Sequence, residues 1–392
     1  MSRSINFLIF LVAILAVIFY NLNVSNLQLP KSKFLGPIQH GSPKNSSSFG
    51  RYTKPLEILD FSSVSSSAVF NFTALKHWDF KAITTQKYFV AVAIANLNYI
   101  STAFVYVIDR SDTSQSKIYQ YSSKSIFAQG IKEQSFSSIN NGCTKFYQSS
   151  NEWIWICYDK TREAYEINGT VVTEKNEKIS FNFKIEYSVE KHPSLALIYP
   201  VADNQPVYTH KVAGLPSSGS LKVGDSEEED LIDGLGSMDW TLGYPERVCQ
   251  WKWSSLSVFA KNPSNNKSVA LGINLSDLVY NDVNGVSMES VIWIDNNVYA
   301  VEKLAWKLPK PENLLNQKWQ IFSISENDNP DSPIIRLYFQ PWGALEEHIN
   351  AIVVQADFVQ AFGTYHGTIE MSNVTYIVEN GFGVAEKHFS KW

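Results

Sequence analysis

Cysteine is scarce in this chain: 392 residues carry only Cys143, Cys157 and Cys249. Three thiols build neither a disulfide framework nor a tetrahedral zinc site, which takes about four ligands at short spacing. Cys143 and Cys157 can form one bridge in an oxidising compartment, or all three can serve as small buried hydrophobes. Also missing are a glycine-rich phosphate loop, a G-x-S-x-G elbow, an H-E-x-x-H helix and a C-x-x-C pair. No metal and no cofactor is therefore expected. Charge is thin as well. Only 18% of residues are Asp, Glu, Lys or Arg, the net charge is −5, and no Lys/Arg block is present. A surface without such a block is not built to hold phosphates, so a nucleic-acid partner is excluded.

Aromatics are plentiful. They make up 14% of the chain, which together with the low charge describes a well-buried globular protein rather than a disordered one. Ile5–Tyr20 is an almost unbroken apolar run, interrupted by Asn6 and preceded by Arg3. As a helix it reaches roughly 24 Å, which suits the thin endoplasmic reticulum bilayer. No small-x-small cleavage site follows it, because Phe19, Tyr20, Asn21 and Leu22 occupy the expected positions. Residues 1–20 are read as a transmembrane signal-anchor, with a cleavable signal peptide and a secreted protein as the alternative. The body would then lie in the lumen of the secretory pathway or outside the cell. The glycosylation sequons at Asn23, Asn45, Asn71, Asn168, Asn266, Asn274 and Asn373 add weak support. Residues 21–54 are polar and aperiodic and read as a stalk.

From Pro55 onward the pattern is strand after strand. Tyr88–Asn96 and Ser101–Asp109 are apolar and β-branched. Lys178–Glu190 alternates strictly, with Ile179, Phe181, Phe183 and Ile185 on one face. Asn168-Gly169 inside Ala164–Val172 predicts a tight hairpin turn. A composition shift at Pro216–Asp233 predicts a linker ending in an acidic, solvated loop. Strand-like segments continue to the C-terminus, with a possible helical turn at Ala344–Ile352. No sustained helical period follows the apolar run. Short strands with turn residues at regular intervals predict an all-β antiparallel sandwich or barrel.

Two segments concentrate charge and aromatics. Ser237–Ser254 holds Asp239, Trp240, Tyr244, Arg247, Trp251 and Trp253. Asp239 and Arg247 can face each other across the Gly243-Tyr244-Pro245 bend, either as a structural ion pair or as a ligand-facing, proton-handling pair. Trp251 and Trp253 share a strand face, as a pocket wall or as core, and with Trp240 and Tyr244 they are the ligand-binding candidates. The last residues place Glu386 and His388 on one face, either as general acid and base or as solvent-facing charges on an edge strand. Glu289 carries a weaker signal, and His366 reads as a satisfied histidine at a bend.

Lys76-x-Trp78, Tyr88-Phe89-Val90 and the run from Tyr99 to Asp109 resemble the opening of a domain of unknown function, DUF2804. The ordered set Asp239, Gly243, Arg247, Trp251-x-Trp253, Leu271-Gly272-x-Asn274, Phe362-Gly363, Gly367 and Gly381-Phe382-Gly383 leading to Glu386 and Trp392 carries the same resemblance. It implies a distant relative of the carotenoid 1,2-hydratase and AttH-like group, built from two tandem lipocalin-like barrels, here over 55–236 and 237–392. It also implies that Asp239 is the counterpart of an acidic residue that lies in a Trp-x-Asp-His-Glu-like stretch in that group. In this chain Trp240 and Thr241 follow Asp239, so the neighbouring His and Glu are missing.

The leading functional expectation is a module that binds a hydrophobic or amphipathic small molecule, such as a lipid or isoprenoid, inside a lipocalin-like barrel, with an aromatic-lined cavity in the second barrel as its mark. The rival is a cofactor-independent hydratase, isomerase or carbohydrate-active enzyme using Asp239 and Arg247 with Trp251 and Trp253, and with Glu386 and His388 as further catalytic candidates. A third reading is a structural or interaction protein with filled barrels.

Overall fold

The computed structural model describes residues 35–392, except for residues 63, 65–66, 112–116, 203–204, 325–331 and 351–354. The Ile5–Tyr20 run and Asn23 lie outside the described residues. Among the described residues no helix is long and apolar enough to cross a membrane.

The body is all-β, with one short helix at Ala68–Ala74. In the first half lie β1 (Gly50–Tyr52), β2 (Lys76–Thr84), β3 (Tyr88–Asn96), β4 (Ile100–Asp109), β5 (Lys117–Ile126) and β6 (Ile131–Glu133). They are followed by β7 (Gly142–Ser149), β8 (Glu152–Asp159), β9 (Ala164–Val172), β10 (Lys178–Glu186), β11 (Leu195–Ala202), β12 (Gln205–Val223) and β13 (Glu229–Gly243). The second half contains β14 (Val248–Asn262), β15 (Lys267–Asp277), β16 (Val291–Ile294), β17 (Asn297–Ala300) and β18 (Leu304–Lys307). It ends with β19 (Trp319–Ser323), β20 (Ile334–Asn350), β21 (Gln355–Met371) and β22 (Val374–Lys391).

These strands form two curled antiparallel sheets, one of 13 strands and one of 9. The main path of the first runs β5-β4-β3-β2-β13-β12-β10-β9-β8-β7-β6, and that of the second runs β17-β16-β15-β14-β22-β21-β20-β19-β18. Among the described residues no ladder joins β5 to β6 or β17 to β18, so each sheet is a half-barrel rather than the closed barrel expected. β13 runs through Ser237 and pairs with β2 as far as Gly243, so the sheets divide at 244–247, not at 236/237.

Each sheet wraps its own core. Ile179, Phe181, Phe183 and Ile185 alternate with exposed or half-exposed neighbours and point into the first core, as their spacing predicts. Trp319, Phe339, Tyr365 and Leu256 fill the second. β3 departs from alternation because both its faces are buried. Val90, Val92 and Ile94 enter the first core, whereas Phe89, Ala91 and Ala93 face the other sheet. Together with Phe80, Tyr106, Trp253, Phe362 and Phe382 they form a third cluster that joins the two sheets. The small Ala82, Ala91 and Ala93 leave room for the large rings opposite.

Several sequence expectations need correction. Asn168-Gly169 is no hairpin turn: it lies mid-strand in β9, paired with Trp155 and Ile154 on one side and with Asn182 and Phe181 on the other. A Cβ on Gly169 would collide with the Phe181 ring, so glycine is required there by an aromatic lying across it. The Pro216–Gly219 stretch is not a linker but part of β12, where it coincides with register shifts between Ala213 and Leu215 and between Ser217 and Gly219. Turn-like composition here marks bulges that bend a long strand. Ala344–Asn350 is strand rather than a helical turn. His366 lies within β21 at a register shift and is exposed, its Nδ1 accepting the Asn380 backbone N–H at 3.4 Å. Cys143 and Cys157, register partners in β7 and β8, form a disulfide with Cα atoms 4.1 Å apart. Cys249 is a buried free thiol, pushed up to about 11 by burial. Of the sequons, Asn45, Asn266 and Asn373 are exposed, whereas Asn274 is buried.

Candidate functional site

Among the described residues, large core side chains such as Trp319, Phe339 and Tyr365 occupy the interior of the second half-barrel, where a cavity was expected. A cavity of about 1380 Å³ lies instead between the two sheets, lined by residues of both. Strand register builds its walls. On the first sheet Lys211, Asp239 and Phe80 stand side by side on β12, β13 and β2. On the second, Trp251, His388 and Phe358 form one rung across β14, β22 and β21, and Trp253, Glu386 and Gln360 form the next. The two walls meet where the Phe80 ring contacts Trp253 edge-on, centroids 5.6 Å apart. At the far end the strongly exposed Ile126 and the Lys124–Glu347 ion pair (2.9 Å) mark the mouth.

The Lys211 ammonium is buried and donates to Asp239 Oδ2 at 2.6 Å and to Glu289 Oε1 at 2.8 Å. Burial alone would lower its pKa, but the two carboxylates outweigh it and the net direction is up. Glu289 is pushed up by burial and by the nearby Asp239 charge, against the pull of Lys211. Asn274 ties this cluster to the aromatic wall: its Oδ1 accepts from Trp253 Nε1 at 2.7 Å, and its Nδ2 donates to the Glu289 carbonyl at 2.9 Å.

Glu386 forms a second polar centre. One carboxylate oxygen accepts from Trp251 Nε1 at 2.6 Å and the other from Gln360 Nε2 at 3.0 Å. The Gln360 carbonyl in turn accepts from the Tyr106 hydroxyl at 2.8 Å. Burial pushes this carboxyl up to about 7, further than the Gln360 and Trp251 hydrogen bonds pull it down. His388 is nine-tenths buried beside it, Nδ1 3.7 Å from Glu386 Oε1. Burial lowers the imidazole to about 3, so it is neutral at physiological pH. Among the described residues neither ring nitrogen has a hydrogen-bond partner. A carboxyl near 7 in a cavity wall lined with aromatics can both give and take a proton. Among the described residues no group of three or more His, Cys, Asp or Glu is arranged to hold a metal ion.

The structure therefore brings Asp239, Trp251, Trp253, Glu386 and His388 to one cavity. The Asp239–Arg247 pairing needs correction. Asp239 lies four residues inside β13 and pairs with Lys211 of the adjacent strand, whereas Arg247 sits in the break between sheets, outside the cavity wall, its carbonyl accepting from Trp392 N at 2.9 Å. Trp240 cannot line the cavity because its neighbour Asp239 does, and adjacent strand residues point to opposite faces. Its ring packs in the first core against His77 (5.2 Å) and Tyr208 (5.9 Å). Tyr244 is also elsewhere, stacked on Phe70 at 5.4 Å with its hydroxyl donating to Asn71 Oδ1 at 2.9 Å. Sequence reasoning missed Lys211, Gln360 and Asn274 and gave Glu289 too little weight. The one available signal was Lys211 itself, a lone charge in the apolar run Val207–Leu215.

A family model for the domain of unknown function DUF2804 matches residues 38–392. The chain belongs to the DUF2804 family. Every cavity group named above falls within the matched residues. Among solved structures, this DUF2804 protein is similar to CghA bound to Sch210972, at 10% identity over 80% of this chain and 88% of that one, with a TM-score of 0.48. It is similar to kievitone hydratase from Nectria haematococca at 12% identity over 84% and 92%, with a TM-score of 0.46. It is also similar to a putative AttH from Nitrosomonas europaea at 10% identity over 84% and 96%, with a TM-score of 0.45. No curated protein matches the sequence.

Proposed function

We propose that the protein binds a hydrophobic or amphipathic small molecule between its two sheets. The observation that carries this reading is the cavity of about 1380 Å³ with Phe80, Phe104, Trp251, Trp253 and Phe358 on its walls and the Lys211 and Glu386 polar centres set among them. Small-molecule sites combine an apolar body with a few placed polar groups in roughly 300–1,000 Å³, so this space admits an extended ligand. Among the described residues, buried apolar side chains occupy the interiors of both half-barrels. The Cys143–Cys157 bridge supports an oxidising compartment, and a membrane anchor at Ile5–Tyr20 would hold the cavity close to a source of apolar ligands.

Native mass spectrometry of the mildly purified protein tests the reading. A co-purified small molecule that leaves on collisional activation is expected. A homogeneous apo mass, with no mass added by a panel of lipids and isoprenoids, overturns it.

One observation favours a second reading, cofactor-independent acid–base catalysis. Glu386 is held near 7 by burial and lies beside a neutral histidine in the cavity wall. In that reading Glu386 transfers the proton, Lys211 with Asp239 and Glu289 orients a polar group, and the tryptophans exclude water.

A further inference from the structure

Two lysines line the cavity, and each is already paired. Lys211 is bracketed by Asp239 and Glu289, and Lys124 at the mouth is bound to Glu347. The remaining basic side chain on the wall is His388, which lies between the Trp251 and Phe358 rings, with centroids at 3.8 and 5.3 Å. It contributes no charge at neutral pH. An anionic headgroup entering here would lose its hydration without gaining a free cation, and would meet Asp239 and Glu386.

A cationic headgroup is not provided for either. Asp239 and Glu289 already share the Lys211 ammonium, and Thr241 Oγ1 adds a bond to Asp239 at 3.2 Å. Both Glu386 oxygens accept N–H bonds from the wall itself. Glu289 and Glu386 are each shifted by burial toward the protonated form, which lowers the negative charge of the inner wall. Groups of this kind offer hydrogen-bond donors and acceptors to a partner that brings no charge of its own.

Resting on the binding reading above, we infer that the molecule held between the sheets is uncharged at its polar end: a hydroxyl or carbonyl compound, not a carboxylate, a phosphate ester or an amine. The aromatic walls take its apolar body, and the Lys211 and Glu386 centres take its oxygen. The cavity thus selects by charge as well as by hydrophobicity: among the described residues its inner wall holds no spare cation and its buried carboxylates are already hydrogen-bonded, while the lining carboxylates without an ion pair, Glu174 and Glu346, are exposed to solvent.

Quenching of tryptophan fluorescence at pH 7.5 by retinol, retinoic acid and retinylamine tests this with one skeleton and three heads. Retinol should bind at least about tenfold more tightly than the acid or the amine, since an unpaired charge in a desolvated site costs several kcal/mol. Equal or tighter binding of the acid or the amine overturns the inference and leaves the binding reading standing. Failure of all three to bind overturns both. Glu386→Gln keeps the shape of the wall and removes the part of its negative charge that Glu386 carries. It should raise the ratio of retinoic acid affinity to retinol affinity by at least about fivefold. Asp239→Asn, which leaves Lys211 short of one counter-ion, should do the same. An unchanged ratio in both variants overturns the inference.

Discussion

The imidazole of His388 lies flat on the indole of Trp251, with ring centroids 3.8 Å apart and planes 4° from parallel. The same indole donates through Nε1 to Glu386, two residues before that histidine. One tryptophan thus holds both members of the polar pair, an acid raised by burial and a base lowered by it.

Removing each tryptophan should have a different effect. Trp253 is buried in the cluster between the sheets and donates to Asn274. Trp253→Ala should cost about 3–5 kcal/mol in urea unfolding. Trp251 is only partly buried, and Trp251→Ala should cost no more than about 2 kcal/mol while weakening ligand retention. Equal stability losses would make both tryptophans core residues.

Glu386 should make stability depend on pH in the unusual direction for a carboxyl. Its folded pKa of about 7 lies above the ordinary 4.5, so the folded state binds more protons between those values and loses stability as pH rises through them. Relative to Glu386→Gln, the unmodified protein should lose on the order of 3 kcal/mol between pH 4.5 and 7. The check is urea unfolding of both proteins across that range. Parallel pH profiles would show that the carboxyl is not perturbed.

Lys211→Met should expose the cost of an uncompensated buried charge. With Asp239 left beside Glu289 and no counter-ion, stability at pH 7 should fall by about 3–5 kcal/mol. A loss below about 1 kcal/mol would mean that the cluster is hydrated.

The Cys143–Cys157 bridge closes a short loop, the two residues being 14 apart in sequence. Replacing both with serine should cost about 3 kcal/mol on a chain-entropy account. Ligand affinity should not change, because neither cysteine lines the cavity. A change in affinity would tie the far edge of the first sheet to the site.

What could be read from the sequence was local. A period of two puts Trp251 with Trp253, and Glu386 with His388, on common faces wherever their strands lie. That β14 pairs with β22, so that the Trp251–Glu386 hydrogen bond spans 135 residues, is a long-range choice that no local pattern announces. The same limit misdirected the Asp239 pairing. Arg247 was near in sequence, but the partner was Lys211, 28 residues earlier on the adjacent strand. Asn168-Gly169 and Pro216–Gly219 were misread because glycine serves bulges and aromatic cross-strand packing as readily as turns. The cavity was sought inside a barrel because lipocalin-like barrels hold ligands there. It lies between the sheets because Trp251, Phe358, Glu386 and His388, on the paired strands β14, β21 and β22, line the space shared with the first sheet and not the second core.

The central claim is that a ligand sits between the sheets and in neither half-barrel. Photolabelling with a retinol analogue that carries a diazirine, followed by peptide mapping, tests it directly. The account predicts label on cavity residues from both sheets, such as Phe104 of β4 and Trp251 or Phe358 of the second sheet. Label confined to the core residues of one sheet, such as Phe339 and Tyr365, or scattered over the outer surface, would contradict it.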